Sequence, residues 1–255
     1  MMYTRAKAGR HLGLSPEQLG SPLAKHYQPA MAPLSSAAVN ALAHGARPAE
    51  LLPTPEQVAA GDAESRLMLP VGYALEPGGG LRIALRTPLP DVTPAMIDWW
   101  FGWHSDSAER YKLWHPRAHV HAEWHTPPPA ESEGRHRYVG RTSIVDEYVG
   151  GVLGRFAIQF VAPGTLGYDP ARLDERVATA VCARVGLTDL PINAGLLMHE
   201  VRAMLGGSEM RSYFWLGGRY AGPRGGGALG SLAVAVGRKV MRPTEHDGRA
   251  LLAHC

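Results

Sequence analysis

Histidine is concentrated in one stretch of the sequence: His104, His115, His119, His121 and His125, five of the twelve in the chain, lie between residues 104 and 125. Five of the six tryptophans, Trp99, Trp100, Trp103, Trp114 and Trp124, are interleaved with them. Imidazoles set among large apolar rings suit a pocket for a flat organic ligand, and equally an aromatic core with hydrogen-bonded histidines. The two cysteines, Cys182 and Cys255, are too far apart for a Cys-x-x-Cys metal site and too few for a disulfide framework. Any metal must therefore be held by histidine and carboxylate. His119-x-His121 on a strand would put both rings on one face, a spacing that can hold zinc once a third ligand arrives from elsewhere.

Two further residues carry chemistry through their parity on predicted strands. In the run Tyr138–Val149, Glu147 shares a face with Val139, Val145 and Val149 and points where the apolar side chains point. A buried carboxylate is costly unless paired or bound to metal. Glu147 is thus a metal ligand, a general base, half of an ion pair, or a strand-end residue in water. His199 shares a face with Leu197 and Val201, the placement of a proton shuttle or of a core histidine bonded to a backbone carbonyl. The glycine-rich stretch from Gly217 to Gly227 lacks the Lys-Ser/Thr of a phosphate-binding loop and any dinucleotide fingerprint, and reads as a mobile loop or lid.

The elements that must position these residues are legible in outline. Residues 1–80 are rich in Pro, Ala and Gly and predict a small irregular helical region, bounded by Glu76-Pro77-Gly78-Gly79-Gly80. Residues 81–255 are more regular. Thr93-Pro94 predicts a helix start, with Ile97, Trp100, Phe101 and His104 on one face; a second short helix from Ser107 stops at His115, before Pro116. Strands are expected from Val120 onward, with Gly150-Gly151 as a hairpin turn and about six antiparallel strands in all. A last helix begins near Thr244, with Asp247 completing a weak capping box. Helices bracketing an antiparallel sheet make an α+β domain.

Composition excludes several function classes. The 255 residues are 45% hydrophobic and 19% charged, and the net charge of +3 has no basic run behind it, which argues against nucleic acid as a partner. No apolar stretch is long enough to span a bilayer and the N-terminus lacks the apolar core of a secretory signal, so a cytoplasmic protein without membrane contact is expected.

Several segments, in order, resemble the 2,4-diacetylphloroglucinol hydrolase and phloretin hydrolase family. They are Trp99-Trp100-Phe101-Gly102-Trp103-His104, the stretch from Arg110 through Trp114-His115-Pro116 to His119, Asp146-Glu147-Tyr148-Val149-Gly150-Gly151, Leu197-Met198-His199-Glu200-Val201-Arg202, and Met210-Arg211-Ser212-Tyr213-Phe214-Trp215-Leu216-Gly217. The resemblance runs from about residue 80 to the C-terminus. It implies a helix-grip, START-like domain that hydrolyses the carbon–carbon bond between an acyl group and a phenolic ring, with Zn2+ held by two His and two Glu.

The positions that match the family's ligands are His115, Glu147 and His254. The family's last helix carries His-x-x-x-Glu, whereas this sequence ends at Cys255, so the resemblance leaves three protein ligands and a C-terminal helix cut short. His199 matches a pocket histidine and is assigned to proton delivery. Tyr213 matches a phenol that contacts substrate. His119, Trp103 and Trp114 are assigned to substrate binding, with Trp100 as part of a flat apolar wall and Glu123 or Asp146 behind an imidazole to fix its tautomer. The substrate is a small aromatic molecule, and residues 1–80 are where a homodimer would form. The alternatives are a non-catalytic binding protein for aromatic ligands on the same fold, or a zinc-dependent ester or amide hydrolase.

Overall fold

A computed structural model describes residues 9–61, 68–173, 178–224 and 242–254. Their strands are β1 (Gly72–Leu75), β2 (Gly80–Pro90), β3 (His119–Trp124), β4 (Thr142–Val149), β5 (Val152–Val161), β6 (Ala178–Leu187), β7 (Ile192–Met204), β8 (Gly207–Gly217) and β9 (Gly222–Pro223). All nine belong to one sheet in the order β1-β2-β8-β7-β6-β5-β4-β3, with the two-residue β9 beside β7. Every pairing is antiparallel. The sheet is larger than the sequence suggests because it begins earlier. The stretch from Glu76 to Gly80, which looks like a domain boundary, is the turn joining β1 to β2, and Glu76 N–H donates to the Gly80 carbonyl at 2.8 Å.

The helices are α1 (Pro16–Leu19), α2 (Ser36–His44), α3 (Pro55–Ala60), α4 (Pro94–His104), α5 (Ala108–Trp114) and α6 (Glu245–His254). The starts of α4 and α6 follow local rules. Thr93 Oγ1 accepts from the Met96 amide, and Thr244 Oγ1 accepts from the Asp247 amide while Asp247 Oδ2 accepts from the Thr244 amide, which is the capping box. Gly150 and Gly151 form the β4–β5 turn with φ of +58° and +79°, as a two-residue hairpin of this kind requires.

Helix α6 touches β1 and β2 at one end of the strand order and β4 near the other, so the sheet curls around it. This is a helix-grip arrangement. Two glycines permit the approach: a Cβ on Gly248 would lie 2.4 Å from Tyr73 Cδ2, and one on Gly150 would lie 2.7 Å from Ala250 Cβ. Leu252 is fully buried against Tyr73, Leu81, Ile83 and Leu85. Helix α4 lies on the same concave face, where Ile97 and Phe101 pack against Val181, Leu197, Val201 and Met210.

The convex face is covered too. Leu52, Val58 and Ala59 pack on Ala84, Cys182, Met198, Tyr213 and Trp215, and Trp215 Nε1 donates to the Pro53 carbonyl at 2.9 Å. Both faces of the central strands are therefore apolar and buried. Cys182 is a free thiol whose burial pushes its pKa up to about 12, which leaves it inert. No helix among the described residues is long and apolar enough to cross a membrane.

Candidate metal centre and active site

One β-bulge organises the site. His119 pairs with Glu147 and His121 pairs with Asp146, so β3 carries one residue more than β4 over that interval, Val120. Simple alternation would have put His119 and His121 on one face; the bulge separates them. His119 is buried on the concave side, whereas His121 Nε2 lies 3.5 Å from Glu123 Oε2 on the other side. Asp146 and Glu123 also face outward, where both meet Arg10, so neither stands behind an imidazole of the concave face.

His119, Glu147 and His254 converge, with one ligand atom of each within 4.8 Å of the others. Glu147 Oε2 lies 3.4 Å from His119 Nε2 and 3.8 Å from His254 Nε2, and accepts a 2.6 Å hydrogen bond from the Tyr111 hydroxyl. The parity that turns Glu147 toward Val145 and Tyr111 is the one its strand pattern predicts. Tyr111 also fixes His119. Its carbonyl lies 2.8 Å from His119 Nδ1 and its ring stacks on the imidazole at 3.6 Å. A proton on Nδ1 toward that carbonyl leaves the Nε2 lone pair facing Glu147.

Burial holds His119 well below its ordinary pKa, in the neutral form that ligates metal. His115 is drawn down to about 4 by burial first and by the neighbouring His254 second. These residues fit a divalent cation: two oriented imidazoles and a carboxylate whose other neighbour is a phenol donor.

Not every residue expected at the site lies in this group. His115 sits beside it, its ring stacked on His254 at 4.7 Å, and its buried Nδ1 has no hydrogen-bond partner among the described residues. His119, expected as a substrate contact, stands where His115 was expected. Tyr213 is turned away. On β8 it alternates with Ser212 and Phe214, and it packs in the convex-face cluster with its ring stacked on Trp215 at 5.7 Å. Trp103 stacks on Trp99 at 5.1 Å with the Arg110 guanidinium 4.7 Å from its ring, on the side of α4 away from Ile97, Phe101 and His104. Trp114 does border the concave side, 5.5 Å from Trp100 and 6.1 Å from His104. Of the glycine-rich stretch, residues 225–227 lie outside the described residues; Gly217–Arg224 form a short turn and β9.

His199 faces the concave side, opposite Ser212 in the β7–β8 register, with Nδ1 2.7 Å from Ser212 Oγ. A run of rings links it to the triad: Phe101 is 5.5 Å from His199, His104 is 5.2 Å from Phe101, and Tyr111 is 5.8 Å from His104. Tyr111 and His104 are the residues that sequence reasoning left without a role. His104 carried a signal, its place on the apolar face of α4. Tyr111 carried none, because its contact with Glu147 spans the α5–β3 turn.

Burial brings both His104 and His199 down to about 4. The sign of their effect on stability follows. Each is neutral in the fold but titrates near 6.5 when unfolded, so the unfolded state gains protons first and stability falls as pH drops from 6.5 toward 4. At pH 5 each should cost about 2 kcal/mol. In chelator-containing buffer, urea unfolding should show the loss between pH 7 and pH 5 shrinking by about that amount in His104→Phe.

The family described as the DAPG hydrolase PhiG domain matches residues 57–255. The chain belongs to this family. Relatives bear this out: a 2,4-diacetylphloroglucinol hydrolase of Pseudomonas sp is 35% identical over 151 residues, 57% of this chain and 51% of that protein. The phloretin hydrolase of Eubacterium ramulus is 26% identical over 224 residues, 85% of this chain and 80% of that protein. The chain thus spans about half the length of the Pseudomonas relative. Among solved structures, Ara h 8.0201 is similar over 68% of this chain and 98% of that one, at a TM-score of 0.32 and 11% identity. The helix-grip description rests on the strand order and on α6.

Proposed function

We propose that this member of the family hydrolyses the carbon–carbon bond between an acyl group and a phenolic ring, with zinc held by His119, Glu147 and His254. The observation that carries the proposal is the triad itself, with the His119 tautomer set by Tyr111, in a chain whose relatives are named for hydrolysis of acylated phenols. When bound, a zinc ion supplies Lewis acidity toward the acyl carbonyl oxygen and acidifies water at the same place. The donor set also suits iron, manganese and cobalt.

The chain's own residues carry the proton transfers and the binding. His199 is neutral at pH 7, and with Nδ1 engaged by Ser212 its Nε2 is the exchanging atom. It takes a phenolic proton from the substrate and returns it to the ring carbon that bears the acyl group, so the ring becomes a β-diketone-like tautomer. Water then adds to the acyl carbon and the bond to the ring breaks. The electron pair passes into the ring and its oxygen, which is reprotonated by the proton that the water lost. The products are a carboxylic acid and the deacylated phenol. The substrate ring lies against the cluster of Trp100, Phe101, His104 and Trp114, whose rings pack on one another.

The test is incubation with 2,4-diacetylphloroglucinol, with acetate and the deacylated phenol measured together, beside an aryl acetate ester of similar size. One acetate per deacylated ring, and faster turnover of the ketone than of the ester, is the expected result. Binding of the phenol without acetate release identifies a carrier, and faster ester cleavage identifies an esterase; either outcome overturns the proposal.

A further inference from the structure

The family match begins at residue 57, yet the chain before it reaches behind each element that bears a triad residue. Arg10 Nη1 lies 2.7 Å from Asp146 Oδ2, and Arg10 Nη2 lies 3.2 Å from Glu123 Oε1. Asp146 is buried, immediately precedes Glu147 and points to the opposite side of β4. The buried Lys112 donates from Nζ to the Gly13 carbonyl at 2.6 Å and to Gln18 Oε1 at 3.3 Å. Lys112 follows Tyr111, which holds both Glu147 and His119. The Tyr27 hydroxyl donates to the Pro116 carbonyl at 3.4 Å, in the turn that leads to His119. On α6, Arg249 Nη1 donates to the Leu42 carbonyl at 2.6 Å, and Ala38, Ala41 and Leu42 pack in the cluster that contains Leu251 and Leu252.

We infer that residues 9–45 are a brace that sets the metal affinity of the triad by holding β4, α5 and α6 from outside the ligand shell. The inference rests on the metal reading above. Its physical basis is that the three triad residues come from three separate elements, the strands β3 and β4 and the short helix α6, and that Tyr111, which holds two of them, lies on the seven-residue α5; helices this short have little stability of their own. The buried Lys112 ammonium donates to Gly13 and Gln18, both in this segment, so release of the segment would strand a buried charge. Arg10 acts on Glu147 only through Asp146 and the strand, which makes it a positioning residue.

The test is zinc affinity by competition with a chromophoric chelator, on the full chain, with thermal unfolding followed in the same samples. Arg10→Met should weaken zinc binding about tenfold or more, and Lys112→Met similarly, on the scale seen when partners behind metal ligands are removed. Arg10→Lys, which keeps the charge near Asp146, should recover most of the affinity. Arg82→Met, which breaks an ion pair with Glu76 at the β1–β2 turn, should lower stability and leave zinc affinity unchanged. Wild-type affinity in Arg10→Met, or an equal loss in Arg82→Met, overturns the brace. Zinc uptake that is absent from the wild type, or unaffected in His119→Ala, overturns the metal reading and the brace with it.

Discussion

Replacing His119 with alanine should abolish stoichiometric zinc binding and reduce turnover of an acylated phenol to background, whereas His115→Ala should leave zinc in place with a smaller loss. The two residues are four apart and their rings are 5.5 Å from each other, so a generic loss of packing would affect them alike. The structure separates them. His119 Nε2 faces Glu147 with its other nitrogen 2.8 Å from the Tyr111 carbonyl, while His115 stacks on His254 and lies outside the group within 4.8 Å. Removal of one of three protein ligands leaves two, too few for a catalytic zinc site. Elemental analysis of the two dialysed variants beside the wild type checks this directly. Equal zinc in His119→Ala and wild type would show that the triad is not the site.

His199→Gln should do the opposite: keep zinc and lose kcat by about 10²–10⁴, the range of general acid–base catalysis. Among the described residues His199 joins no group of converging metal-ligand atoms, its Nδ1 is engaged by Ser212, and a run of rings separates it from the triad. KM should change little by comparison, because in the proposed binding mode Trp100, Phe101 and Trp114, not His199, hold the ring of the substrate. Steady-state kinetics with zinc content measured on the same preparation distinguishes the two roles. A variant that lost zinc together with kcat would place His199 in the metal centre.

How much of this was legible in the sequence depends on how local each cause is. The cap at Thr93, the capping box at Thr244 and the Gly150-Gly151 turn are set by residues within a few positions of one another, and all three appear where the sequence puts them. The parity of Glu147 was also legible, since β4 is regular. Tyr213 was not. Both faces of β8 are buried, one under α4 and α6 and the other under residues 52–59, so alternation reveals two faces without saying which one holds the site. Nor was the bulge at Val120, which depends on how β3 registers against Asp146 and Glu147 on a separate strand and which moves His119 and His121 to opposite sides. The β1–β2 hairpin was missed for a different reason: the glycines that make its turn carry the same signal as a linker.

The central claim is that His119, Glu147 and His254 hold one metal ion that the hydrolysis requires. It is tested most directly by zinc per chain in the wild type and in Glu147→Gln, each after zinc loading and exhaustive dialysis, with acetate release from 2,4-diacetylphloroglucinol followed in the same samples. The account predicts close to one zinc per wild-type chain with acetate release, and loss of both in Glu147→Gln. Acetate release by a wild-type chain that retains no zinc or other divalent ion, or zinc and turnover unchanged in Glu147→Gln, would contradict it.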